Sequence, residues 1–163
     1  MDWFSRIKES PNYERLKHSL EYRHLRKQAI LLGSFSAVFI LLVALTGLPN
    51  STMRAKSVMA FVMGILVLIP MTLYYVYQMA ALFFKIDRWT FSETILDKPH
   101  MGSRGSAYFT VTVRDRSGRE LQRDTSSLFH SYSEPCFDDC VNKTALIGYN
   151  DETDTVAVIQ ILP

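Results

Sequence analysis

Two long apolar runs occupy the middle of the chain, and short alternating runs fill its C-terminal half. AILLGSFSAVFILLVALTGL (29–48) is twenty residues without a charge, and SVMAFVMGILVLIPMTLYYVYQMAALFF (57–84) is twenty-eight. A helix rises about 1.5 Å per residue and the hydrocarbon of a bilayer is about 30 Å thick, so about 20 residues cross it. Both runs meet that length. They predict a two-helix transmembrane hairpin over 29–84, broken by PNSTMRAK (49–56), where Pro49 and Asn50 end the first helix. The remaining chain is too small to enclose two such helices in a soluble core. A signal peptide is excluded, because the first run lies behind a long charged segment and no Ala-x-Ala stretch follows it.

Residues 1–28 read as helical. Trp3, Phe4 and Ile7 share one face, which suits either an interfacial helix at lipid headgroups or a helix packed on the C-terminal domain. Ser10-Pro11 reads as an N-cap and first helical position. The helix it begins is expected to run from Asn12 into the first apolar run, with Tyr13, Leu16 and Leu20 as an apolar stripe. Within the runs, Gly33 with Ala37 and Ala60 with Gly64 put small residues four apart, which permits close helix contact. Pro70 predicts a kink.

After Arg88 the period changes to two. WTFSETILD and AYFTVTVRD read as strands, the second with Phe109, Val111 and Val113 on one face and Tyr108, Thr110 and Thr112 on the other. DRSG is a turn, RELQRDTSSLFHSY one or two return strands, and TALIGYN and TVAVIQIL a final pair joined by NDET. HMGSRGSA (100–107) reads as a connector or a long hairpin tip. Four to six short strands result. The fold class expected is membrane α + β: the hairpin, then a small antiparallel β-barrel or sandwich. The organisation is a cytoplasmic helical segment (1–28), the transmembrane hairpin (29–84, spans 29–48 and 57–84) and an extramembrane β domain (85–163).

Charge sets the orientation. The whole chain has a net charge of +2, and Arg54 and Lys56 are the only charges within 29–84. Seven Lys or Arg precede the first run, and Lys85, Arg88, Lys98 and Arg104 follow the second, against two in the break. An excess of cations marks the cytoplasmic side, so both termini are expected in the cytoplasm and the protein in the cell (inner or plasma) membrane. Neither run carries an ionisable residue, which argues against an ion-coupled transporter, a proton relay or a voltage sensor.

The stretch SEPCFDDC (133–140) is the only candidate for chemistry. With His130 it spaces His, Cys136 and Cys140 so that, with Asp139, four metal ligands can be written. A redox pair would favour Cys-x-x-Cys, and Glu134, Asp138 and Asp139 disfavour a thiolate. Thiols four apart are too distant for a disulfide on a strand, and the cytoplasm is reducing. Two thiols on one turn of a short helix is the plainer expectation. Walker, GxSxG, HExxH and GxGxxG patterns are missing, so no catalytic residue and no cofactor is expected.

The layout, with KTALIGYNDETDTVAVIQI closing it, resembles bacterial membrane proteins of uncharacterised activity in which a helical hairpin leads into a small β module. It is also similar to the membrane-anchored barrel proteins associated with the band-7 scaffold family, although this chain has fewer and shorter spans. The resemblance implies no catalytic residues. The expectation is a non-enzymatic membrane accessory protein. Its partners would be the lipid bilayer and a membrane or cytoplasmic protein, or further copies of itself, and not nucleic acid. The alternatives are a metal- or redox-responsive regulator using the Cys/His cluster and a small membrane enzyme.

Overall fold

A computed structural model describes residues 3–46, 51–102, 105–130 and 136–162. Contacts divide the chain into two units: Met1–His24 with Leu82–Pro163, and Leu25–Ala81. The elements are five α-helices, α1 (Trp3–Glu9), α2 (Asn12–His18), α3 (Leu20–Thr46), α4 (Ser51–Ala81) and α5 (Phe137–Cys140), and seven strands among the described residues. The strands are β1 (Trp89–Ile95), β2 (Lys98–Met101), β3 (Ser106–Arg114), β4 (Glu120–Asp124), β5 (Phe129–His130), β6 (Thr144–Asn150) and β7 (Thr155–Ile161).

The Leu25–Ala81 unit is a pair of apolar helices. A Cβ added to Gly33 would lie 3.8 Å from Thr72 Cγ2, and one added to Gly64 would overlap the Phe39 ring. Moving forward along α3 from 33 to 39 moves backward along α4 from 72 to 64, so the helices run antiparallel. Gly33 would leave room for a methyl group, whereas the missing side chain at Gly64 makes the space that the Phe39 ring fills. Ser36 and Thr72 donate their hydroxyls to the carbonyls of Leu32 (2.7 Å) and Leu68 (2.8 Å), one turn back. α4 begins at Ser51 rather than after the expected break, so Arg54 and Lys56 are helical; Met53, Arg54, Ala55 and Lys56 are all good helix formers. Pro70 lies inside α4.

Among the described residues one stretch, Leu20–Leu42, is long and apolar enough to cross a membrane by length and composition, and of its residues only Glu21 and Ser36 are buried. Leu66–Ala81 is a shorter apolar stretch.

The other unit carries two antiparallel sheets, ordered β1-β6-β7 and β2-β3-β4, with β5 also pairing with β3. The expected alternation on β3 holds. Phe109, Val111 and Val113 are buried, and with Leu96, Phe129, Ala145, Ile147 and Val158 they form a core shared by both sheets. Among the described residues the hydrogen bonds make two separate sheets, not one closed ladder. The structure adds β2, which takes in His100 and Met101, the first two residues of the expected connector: Lys98 to Met101 pair with Thr110 to Ala107. Pro99 masked this strand, because proline lacks the N–H a central strand needs, and β2 is an edge strand.

The N-terminal helices belong to this unit. Leu16 is fully buried and Leu20 packs on the core, as the stripe predicted. The continuous helix expected from Asn12 is interrupted at Ser19, whose backbone is extended (ψ 152°). The Ser19 hydroxyl accepts the Tyr22 N–H at 3.1 Å and donates to the Leu16 carbonyl at 2.6 Å. An N-cap of this kind ends one helix and starts the next. Ile7 of α1 is buried, while the side chains of Trp3 and Phe4 lie outside the described residues.

Candidate functional site

The cysteine turn is built on the core. Cys136 is extended and precedes α5, a single turn. Phe137 stacks on Phe109, ring centroids 5.4 Å apart. The N–H of Asn142 donates to the Leu96 carbonyl and that of Leu96 to the Lys143 carbonyl, both at 2.9 Å, which ties the turn to the end of β1. Asn142 has φ +62°, a left-handed conformation that asparagine tolerates.

The thiols form no disulfide. Cys140 is 1% exposed, and its Sγ donates to the Cys136 carbonyl at 3.0 Å. Burial, more than the acidic neighbours, pushes its thiol up to about 11, with Asp139 adding to the rise and Lys143 opposing it. Asp139 is exposed, so the turn points two of the four candidate ligands in different directions. Cys136 is half-buried, and the side chain of His130 lies outside the described residues. Among the described residues no group of three or more His, Cys, Asp or Glu is placed to hold a metal ion.

Sequence reasoning missed a second feature. β1 and β2 are consecutive but belong to different sheets, and the bend at Leu96 and Asp97 carries the chain between them. At its start β1 meets the end of β3: the Thr90 hydroxyl lies 2.6 Å from the Arg114 carbonyl and 3.2 Å from that of Tyr149. Further along, the strands part around a cleft of about 240 Å³. Its polar lining comes from Thr94, Asp97, Lys98, Thr110, Thr112 and Gln122. Hydroxyls, an amide, a cation and a carboxylate there offer both donors and acceptors to a polar ligand or a peptide backbone. The β3 alternation signalled the threonines, but the departure of β1 from β3 is tertiary.

Ion pairs brace the strand ends. Glu152, in the β6–β7 turn, pairs with Lys85 and with Arg88 (3.2 Å), and its hydrogen bond to Lys85 leads the effects holding its carboxyl below the ordinary range. Asp154 accepts from Arg123 Nε at 2.6 Å and from the Tyr149 hydroxyl at 2.8 Å, joining the sheets across β4 and β6. Arg15 lies 5.0 Å from the centre of the Phe91 ring.

The most unusual environment belongs to Glu21, in the first turn of α3 and ahead of the charge-free run that begins at residue 29. It is 4% exposed. Its Oε2 accepts the Val158 N–H of β7 at 2.8 Å, while its Oε1 is buried without a hydrogen-bond partner. Burial pushes its carboxyl up to about 8; hydrogen bonds from its own and the Val158 backbone, and Arg23, oppose that rise. The helical pattern predicted the apolar contact of this helix but not that a carboxylate would be placed in it.

Comparison of the chain with protein-family models, with curated proteins and with solved structures finds no match.

Proposed function

We propose that this is a non-enzymatic, membrane-anchored accessory protein: α3 and α4 cross the bilayer as a hairpin, and the β unit binds a partner protein at the cytoplasmic face. The observation that carries the reading is the exposed surface of the helical pair. Leu31, Phe35, Leu41 and Leu45 on α3, and Leu66, Leu73 and Tyr77 on α4, are each more than half exposed, although the two helices already pack on one another. Water penalises such a surface by about 25 cal/mol per Å², whereas lipid does not. Hydroxyls bonded within the helix, as at Ser36 and Thr72, suit a medium without water.

The spanning part of α3 starts after Lys27, because Arg23, Arg26 and Lys27 belong at a headgroup boundary. The excess of cations ahead of the spanning part of α3 and after α4 favours cytoplasmic termini. The cleft between β1 and β3 is the surface best suited to a partner, since it offers donors and acceptors together.

Alkaline carbonate extraction of membranes from expressing cells tests the anchor. The protein should remain with the membrane; its release to the supernatant would overturn the reading. Cross-linking and co-purification from mild detergent test the second half, and a strictly monomeric protein without stable partners would count against an accessory role.

A further inference from the structure

We propose that Glu21 is a proton-gated latch between the first turn of α3 and the outer edge of β7: neutral, it holds the N-terminal helices on the sheet, and ionised, it releases them. Among the described residues β7 is the last strand of its sheet, paired with β6 on one side only. An edge strand presents unpaired backbone groups, and folded proteins cover them. Here the cover is helical. Oε2 of Glu21 takes the Val158 N–H at 2.8 Å, as the carbonyl of a neighbouring strand would. The contact sits next to an irregularity in the β6–β7 register, between Leu146 and Ile147, where Ile147 faces Val158 and Leu146 faces Gln160. Ile159 is therefore the extra residue, and the ladder is interrupted beside the latch.

Charge determines which state closes. A buried carboxylate needs its acceptor positions filled, and Oε1 has no partner. A proton on Oε1 removes the charge while leaving Oε2 to accept from Val158. Besides the backbone N–H groups of Glu21 itself and of Val158, little would stabilise the anion. Arg23 is the charged side chain that acts on Glu21, and it is itself exposed. β7 carries no titratable side chain between Thr155 and Ile161. On α2, Glu14, Arg15 and His18 are exposed, and Tyr13 and Lys17 are half-buried. Beyond the cap at Ser19, Tyr22 is half-buried against Phe83, their ring centroids 5.5 Å apart.

A carboxyl whose closed-state value lies above its free value stabilises closure below the free value, and that contribution fades as pH rises to the closed value. For Glu21 the window runs from 4.5 to about 8. One proton is linked, so the closed-to-open ratio falls by up to about tenfold per pH unit inside that window.

The test is hydrogen exchange of the full chain in detergent micelles, read by mass spectrometry on a β7 peptide and expressed as protection relative to the intrinsic rate at each pH. Wild-type protection at β7 should fall by up to about tenfold per unit between pH 5 and 8. Glu21→Gln keeps an acceptor and cannot ionise, so its profile should be flat. A flat wild-type profile, or a Glu21→Gln profile that falls in parallel, overturns the proposal. Should Glu21→Gln fail to fold, the infrared band of protonated carboxyl in wild type decides. A band that disappears together with β7 protection supports the latch, and loss of protection without such a band overturns it.

Discussion

Phe109→Ala tests whether the two sheets and the cysteine turn share one core. Phe109 is fully buried on β3. Its ring meets Phe129 edge-on at 4.9 Å and stacks on Phe137 at 5.4 Å, so truncation removes both aromatic contacts and leaves a cavity between them. Truncating a buried Phe to Ala costs about 3–5 kcal/mol. A loss of about 1 kcal/mol lowers the midpoint of a domain of roughly a hundred residues by about 4–8 °C, so about 4 kcal/mol predicts a fall of about 16–32 °C. Near-UV circular dichroism during a thermal melt in detergent would measure it.

A second readout reports the turn itself. With its thiol near 11, Cys140 is about one part in 10³ thiolate at pH 8, whereas a thiol near its ordinary value of 9.0 would be about one part in ten. If α5 loosens when Phe109 is truncated, labelling of Cys140 in a Cys136→Ser background should accelerate by up to about 100-fold. A midpoint shift under about 5 °C, with Cys140 labelling unchanged, would refute the shared core.

Ser19→Ala removes the cap between α2 and α3 and takes the hydroxyl donor from the Leu16 carbonyl, which keeps the backbone N–H of residue 19; the expected loss is about 1 kcal/mol, seen as a midpoint lower by about 4–8 °C. Gly64→Leu places a side chain in the space of the Phe39 ring, so proximity of a label pair on α3 and α4 should be lost; unchanged label distances would show that the helices do not pack through Gly64. Asp115 is held at about 2, chiefly by the Ser117 hydroxyl and then by the Arg119 backbone and side chain. Its folded value is lowered, so its contribution is complete above 3.8 and is lost as pH falls through about 2. In acid titrations the stability gap between wild type and Asp115→Asn should close over that window; a gap unchanged down to pH 2 would contradict it.

Periodicity alone marked most of the elements. The change from charge-free runs to alternation after Arg88 separates helices from strands, because each backbone geometry presents side chains at its own period. The buried and exposed faces of β3, the stripe at Leu16 and Leu20, and the one-turn helix at Cys140 all follow from local spacing. Charge counting gave an orientation for the expected hairpin, and composition named the cysteine turn as the one place to look for chemistry.

Only tertiary structure decided the rest. β2 was hidden because Pro99 erases the strand signal, and its partner β3 supplies what the local sequence lacks. The cleft exists because β1 and β3 part, a consequence of which strands pair and not of any strand's pattern. Spacing allowed four metal ligands on paper, but the direction of each side chain is set by packing, which turns Cys140 into the core and leaves Asp139 in solvent. Glu21 shows the limit most clearly. In sequence it is an ordinary charge among many on a helix. Folding places its carboxyl beside the one Val158 N–H at the edge of β7, where burial, a property of the surrounding chain and not of the residue, determines its proton.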